Sequence, residues 1–331
     1  MGLEGLRVAE QPDSKGPAAG DVLVEVHSVA LNYRDLLVAK GLYGGIPDRP
    51  FIPTSDMAGV VVTVGSGVTS FKPGDRVVNA PFRCWPAGMM RPEWLRTFIG
   101  GGGVDGVLTE QILYPADSLV KLPDHLSFDE GSTLTIAGLT AWAAVVTHGS
   151  TKPGEWVLLH GTGGVSIFAA QLAAQIGART ILTTSSPEKG KIVKERFGVT
   201  ETVDYRESEW PKWVREITGG QGVDVVVESA GGPTIGQSIQ ACNYGGRVGV
   251  IGLLAGLEAE FNVVDLMVRQ VTVRGIFMES AEELRLFARA MEVGRIHPHI
   301  DRRFSFNEAP AAYRYLESQK HIGKVVIRVR E

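Results

Sequence analysis

The residues with the clearest chemical purpose lie in one short run, Gly161-Thr162-Gly163-Gly164-Val165, between the apolar segment "WVLLH" and a stretch with apolar residues at helical spacing. Gly161 and Gly163 match two positions of the dinucleotide-binding fingerprint GxGxxG, and Ser166 stands where the third glycine would be. The first glycine permits a tight turn and the second lets backbone N–H groups approach a pyrophosphate. The following helix adds about half a positive charge at its N-terminus. A lone GxGxxG is weak, but a strand before it and a helix after it turn the match into an expectation of cofactor binding. Where a carboxylate would bond the ribose of NAD at the end of the next strand, the chain has Thr183-Thr184-Ser185-Ser186, followed by Lys189 and Tyr205. Hydroxyl donors and a cation suit a 2′-phosphate, so the expected cofactor is NADP(H). The plainer alternative is that Lys189 covers an exposed helix turn, with Glu188 beside it offsetting part of its charge.

Other reactive side chains read as structural. His160, beside the phosphate turn, reads as a packing or ribose-side residue rather than an acid catalyst. Cys84 has no neighbouring histidine or lysine motif to favour its thiolate, and reads as a loop cysteine. His297-Pro298-His299 has the spacing of a metal pair but no third ligand nearby, and reads as a polar turn before a strand.

The elements that must position these residues differ along the chain. The first third gives short strands between turns, in "DVLVEVHSVALN", "MAGVVVTVG" and "DRVV". From Glu155 strand and helix alternate, with runs of β-branched residues such as "VDVVVESA" that suit a parallel sheet covered on both faces. The segment from Pro81 to Gly106, rich in proline and with four consecutive glycines, reads as a long surface loop near a cleft. Beyond Ser280 the pattern is two helices and a last strand, "GKVVIRV".

Composition narrows the classes further. The 331 residues are 44% hydrophobic and 21% charged, enough for a sizeable core and too apolar for wholesale disorder. Glycine, 41 residues or about 12%, exceeds the usual value of about 7% and implies many tight turns. A net charge of −4 with no long run of like charges argues against nucleic-acid or anionic-lipid partners. The two cysteines cannot build a disulfide scaffold, no apolar run approaches the ~20 residues of a membrane span, and Met1 leads to Arg7 without an apolar leader. A cytoplasmic location is expected.

Taken together, "NYRD" from Asn32, "GLYGG" from Gly41, "VGSGVTSFKPGDRV" from Val64, "DGVLTE" from Asp105, "AGLTAW" from Ala137, "GTGGVS" from Gly161 and "HIGKVVI" from His321 resemble the medium-chain dehydrogenase/reductase superfamily. The resemblance covers nearly the whole chain and is strongest to the zinc-independent quinone oxidoreductases and the zinc-type alcohol dehydrogenase-like branch. It implies an α/β protein: a GroES-like β-rich catalytic domain over 1–125 and 279–331 around a Rossmann domain over 126–278, with the active site in the cleft between them. Family members usually carry a strand of about ten residues before the segment matching "GLEGLRVAE", and Met1 falls after it: either the start is truncated or misassigned, or the strand is absent from this copy.

By motif alignment, the three catalytic zinc ligands of the metal-dependent members are replaced by Asn32, Ser55 and Ile136, and the cysteines of a structural zinc site are missing. No metal is expected. Without a Lewis acid, a simple ketone loses oxyanion stabilisation, whereas a quinone or α,β-unsaturated carbonyl spreads the charge itself. The expected function is therefore NADPH-dependent hydride transfer to such an electrophilic small molecule. A metal-independent alcohol or aldehyde dehydrogenase and a crystallin-like nucleotide-binding protein are the alternatives. The resemblance implies pocket roles for Asn32 and Tyr43, with Leu37 where some relatives have a second tyrosine and Asp35 holding loop geometry. For the cofactor it implies Thr140, Gly161, Thr162, Gly163, Gly164, Val165, Ser185, Ser186, Lys189 and Tyr205. Ala230, Ile251, Leu253, Phe277 and Met278 should line the nicotinamide half, and Lys324 should approach a phosphate. It also implies a homodimer through the strand near "VTVRGIF".

Overall fold

The computed structural model describes residues 2–12, 16–43, 49–101 and 103–330. Gly44 and Gly45 of the "GLYGG" motif and Gly102 of the glycine run lie outside these. The chain forms two compact units, Met1–Leu139 with Glu279–Glu331, and Thr140–Met278.

The first unit opens with β1 (Asp21–Leu31), β2 (Asp56–Val64), β3 (Arg76–Asn79), β4 (Gln111–Pro115) and β5 (Leu119–Lys121). The second contributes β6 (Trp156–His160), β7 (Arg179–Thr183), β8 (Glu201–Val203), β9 (Val223–Glu228), β10 (Cys242–Val250) and β11 (Thr272–Gly275), and the chain returns to the first with β12 (Ile300–Ser305) and β13 (Lys324–Arg328).

In the first unit the sheet order is β12-β13-β1-β2-β3-β5, with β4 also on β1. The final strand completes this sheet: β13 runs antiparallel to β1, pairing Ser28 with Arg328 and Leu31 with Val325. Val22, Val24, Val26, Met57, Val61 and Tyr114 form its core on one side, and Leu31, Leu36, Tyr313, Val325 and Ile327 form another cluster. The segment from Pro81 to Gly106 differs from the expected surface loop. It buries Phe82, Trp85, Phe98 and Ile99, and Phe82 stacks on Phe98 at 4.8 Å between centroids. Aromatic burial outweighs the turn residues around it, while Cys84 stays exposed.

The second unit is a six-stranded sheet in the order β11-β10-β9-β6-β7-β8, every neighbouring pair parallel. Strand order reverses between β6 and β9, and the carboxyl ends at such a switch point form a ligand-binding crevice. All five residues of β6 are buried, as the unbroken apolar run requires of a strand covered on both faces.

Candidate active site

The crevice of the second unit begins where β6 ends. Gly161 has φ +69°, a conformation that favours glycine, and its N–H donates to Thr183 O at 2.9 Å. The helix Gly164–Ile176 starts with Gly163 as N-cap, which has no side chain to satisfy the first-turn N–H groups and leaves no atom within 4 Å of where a Cβ would stand. That combination suits an anion. Ser166, at the third fingerprint position, is buried and donates from Oγ to His160 O at 2.7 Å, so a hydroxyl ties helix to strand where glycine would allow close packing. Thr162 is buried in the same turn, Val165 is half-buried in the first helical turn, and Thr140 is buried at the start of this unit.

Beyond β7, two hydrogen bonds involve Ser185, Ser186, Lys189 and Tyr205. Tyr205 OH donates to Ser185 Oγ at 3.0 Å, and Ser186 caps the helix Pro187–Phe197 by accepting from Lys189 N at 3.2 Å. The nearby carboxylate of Asp204 is held below its usual range by hydrogen bonds from Arg206. At the end of β9, Glu228 organises the loop that follows: its Oε1 accepts from Ala230 N and Gly231 N, both at 3.0 Å, and from Thr234 Oγ1 at 2.9 Å. Ile251 N donates to Glu228 O, and Ile276 N donates to Val250 O. These bonds bring Ala230 and Ile251 to the same end of the sheet as the segment carrying Phe277 and Met278. Leu253 and Phe277 are exposed and Met278 is buried with φ +57°.

Sequence reasoning missed the network beneath this crevice. His160 Nε2 lies 2.9 Å from Ser238 Oγ and 3.1 Å from Glu228 Oε2, Nδ1 lies 3.1 Å from Thr183 Oγ1, and Ser238 donates to the same carboxylate. Despite burial, the His160 ring and these hydrogen bonds draw the Glu228 carboxyl down to about 2. Ser238 is fully buried, so the group ties strand ends together and presents no nucleophile.

The first unit holds a separate polar cluster. Asn32 caps the helix Tyr33–Ala39, and its N–H donates to Asp35 Oδ2 at 2.8 Å. Burial pushes the Asp35 carboxyl up to about 6, and it also raises that of Asp56. Arg34 donates to Ser55 Oγ at 3.2 Å and to Ile99 O at 2.9 Å, while its guanidinium lies over the Phe98 ring at 4.0 Å and the Tyr43 ring at 5.0 Å. Asp56 Oδ2 accepts from Ile136 N at 3.1 Å. Lys324, expected near a phosphate, is bonded within the first unit. Its Nζ is buried and donates to Leu31 O and Asn32 Oδ1, both at 2.6 Å, because two oxygen acceptors compensate an ammonium taken out of water.

Asn32, Ser55 and Ile136, the positions aligned with zinc ligands, offer an amide, a hydroxyl and a hydrocarbon, a donor set that does not fit zinc. Among the described residues no group of three or more His, Cys, Asp or Glu is arranged to hold a metal ion, and no helix is long and apolar enough to cross a membrane. His297 instead pairs with Glu130, Nδ1 to Oε1 at 2.7 Å.

Comparison with known proteins gives two family matches, an alcohol dehydrogenase GroES-like domain over residues 18–124 and a zinc-binding dehydrogenase domain over 164–292. A zinc-type alcohol dehydrogenase-like protein of Schizosaccharomyces pombe is 37% identical over 97% of this chain and 93% of its own. A crystal structure of an NAD-dependent alcohol dehydrogenase is 32% identical with a TM-score of 0.86, covering 99% of this chain and 97% of that one. The structure of Escherichia coli quinone oxidoreductase complexed with NADPH is 26% identical with a TM-score of 0.82 and the same coverage. The chain belongs to the medium-chain dehydrogenase/reductase superfamily and is an oxidoreductase that uses a nicotinamide cofactor and a small-molecule substrate.

Proposed function

From that membership we propose that the chain is a zinc-independent, NADPH-dependent reductase of quinones or α,β-unsaturated carbonyls. The observation that carries this reading is the replacement of the three ligand positions by Asn32, Ser55 and Ile136, with the Lys324 ammonium bonded to Asn32. Without a metal to take up negative charge, only acceptors that delocalise it are reduced readily, and the protein has to supply positioning and hydrogen bonds. Tyr43, packed beside Arg34, and Asn32 are the pocket residues on the acceptor side.

On the cofactor side, Gly161, Thr162, Gly163, Gly164 and Val165 receive the pyrophosphate. The hydroxyls of Ser185, Ser186 and Tyr205, with Lys189, receive a 2′-phosphate. Thr140, Ala230, Ile251, Leu253, Phe277 and Met278 border the nicotinamide. The bound dinucleotide supplies the hydride. The chain works as a homodimer joined through β11, an edge strand whose four residues are exposed, near the exposed side chains of Val263, Val264, Met267 and Phe277. Its location is cytoplasmic, in keeping with two free cysteines.

The test is oxidation of NADPH and NADH by EDTA-treated protein against quinones, enones and a simple aldehyde. Turnover of NADPH with quinone or enone, unaffected by chelation, is expected. Activity lost on chelation and restored by zinc, or confined to the aldehyde, would overturn the proposal.

A further inference from the structure

Two neighbouring strands of the second unit bring opposite chemistries to one end of its sheet. β7 and β8 are parallel, with Thr183 opposite Val203, and Thr184 N donates to Val203 O at 2.9 Å. The residues that follow, Thr184-Ser185 and Asp204-Tyr205, therefore leave the sheet at neighbouring positions, and Tyr205 OH donates across to Ser185 Oγ at 3.0 Å. A carboxylate at the end of β7 would favour NAD by accepting from the ribose 2′-hydroxyl. β7 runs into the hydroxyls of Thr184, Ser185 and Ser186 instead. The strand beside it supplies the carboxylate, Asp204, one residue beyond the register pair.

That carboxylate is already engaged. Arg206 Nε lies 3.0 Å from Asp204 Oδ1 and 3.1 Å from Oδ2, Nη2 lies 2.5 Å from Oδ2, and the Arg206 backbone N–H donates to Oδ1 at 3.0 Å. The guanidinium spends its Nε–Nη2 edge on the carboxylate, so Nη1 keeps two hydrogens and bonds none of the described residues. The Arg206 side chain is 63% exposed and that of Asp204 is 29% exposed, so a ligand can reach both. An exposed pair of this kind adds little to stability. What it alters is the charge met beside Ser185 and Tyr205: a bare carboxylate repels a phosphate, whereas the pair carries no net charge and retains an unused donor.

Resting on the NADPH reading above, we infer that Asp204 and Arg206 act as one specificity element: Arg206 withholds the Asp204 carboxylate from the ribose 2′-hydroxyl and donates from Nη1 to the 2′-phosphate. A guanidinium is suited to this double task, because it is always charged and offers separate edges to two anions. An NAD-type acceptor is thus built into the chain and masked by one arginine. Removing that arginine takes a donor from NADPH and releases an acceptor to NADH, so the two affinities move in opposite directions. Loss of a plain phosphate ligand weakens NADPH alone.

The experiment uses the full chain, Arg206→Gln, Asp204→Asn and the double variant. Dissociation constants for NADPH and for NADH are read from the fluorescence of the bound dinucleotide at one low ionic strength, since exposed charges are screened by salt. Melting temperatures are recorded alongside. In Arg206→Gln, NADPH should bind about tenfold more weakly, the worth of one hydrogen bond to a charged group, and NADH about threefold more tightly. Asp204→Asn leaves Arg206 free for the phosphate, so NADPH should bind at least as tightly as in wild type with no gain for NADH. The double variant should lose the NADH gain, because the released carboxylate is its source.

An NADPH to NADH affinity ratio that Arg206→Gln leaves unchanged would overturn the inference, whatever the melting temperature does. So would weaker NADPH binding with NADH unaffected, since Asp204 would then not be masked, and so would an NADH gain that survives in the double variant. A wild type without preference for NADPH, in which Arg206→Gln still tightens NADH, would remove the NADPH reading and leave the masking of Asp204 standing. A wild type that prefers NADPH, with a ratio indifferent to both residues, would do the reverse.

Discussion

His160 Nε2 and Glu228 Oε2 lie 3.1 Å apart at the ends of neighbouring parallel strands, directly below the turn that starts at Gly161. The other oxygen of Glu228 holds the loop from Ala230 to Thr234, so one carboxylate joins the sheet to the crevice wall. Its pKa is lowered to about 2 in the folded state. The stability it contributes is therefore present above the ordinary carboxylate range and is lost as pH falls through about 4.5 toward 2. Glu228→Gln should cost on the order of 3 kcal/mol at neutral pH, and the gap to wild type should close in acid. Urea unfolding of both proteins between about pH 3 and about pH 7 checks this.

Asp35 has the opposite sign. Its folded pKa is raised to about 6, so its contribution is favourable below pH 4 and is lost as pH rises through about 6. Asp35→Asn keeps an oxygen for Asn32 N and removes the buried charge. The variant should gain on wild type as pH rises from about 4 to 7, by on the order of 2–3 kcal/mol, in melting curves at matched ionic strength. A constant difference across that range would mean that Asp35 is not the titrating group.

At Gly161 the left-handed backbone, and no lack of space, makes glycine the requirement, since a Cβ there would meet no atom within 4 Å. Gly161→Ala should destabilise the chain by about 1–2 kcal/mol through backbone strain alone. Weaker NADPH binding should accompany it, read by the fluorescence of the bound dinucleotide.

Cofactor choice can be tested separately. Lys189→Glu places a carboxylate beside Ser185, Ser186 and Tyr205. The NADPH to NADH preference in kcat/KM should drop at least about tenfold, the worth of one hydrogen bond to a charged group. An unchanged ratio would return Lys189 to the role of a surface residue on its helix.

For the dimer, Val273→Lys puts a charge on the exposed edge strand β11. Sedimentation should show a monomer that still binds NADPH. A dimer of unchanged strength would move the interface elsewhere.

What the sequence revealed depended on how local the determinant was. The glycine turn and the consecutive valines of β9 can be read because each follows from a few adjacent residues. The Lys324–Asn32 bond joins residues 292 positions apart, and no local pattern announces it, so family likeness alone suggested a phosphate contact. Glu228 and His160 were hidden for a related reason: each ends an apolar run, and only the parallel register brings them together. The Pro81 to Gly106 segment misled through composition. Its glycines and prolines signal turns, whereas Phe82, Trp85, Phe98 and Ile99 determine where it packs.

The pairing of β13 with β1 also sets an order of assembly. The second unit is contiguous and is complete once its last residue has been made, so it can fold while the ribosome is still translating. The first unit has to keep the exposed edge of β1 unpaired until the final residues emerge. Lys324 arrives on that last strand. Until it does, Asp35 and Asp56 lack one of their two cations, and Asn32 has nothing to choose between its oxygen and its nitrogen. This buried polar cluster is thus among the last parts of the first unit to form, and truncation after the second unit would leave a chain in which the Asn32 amide is no longer fixed.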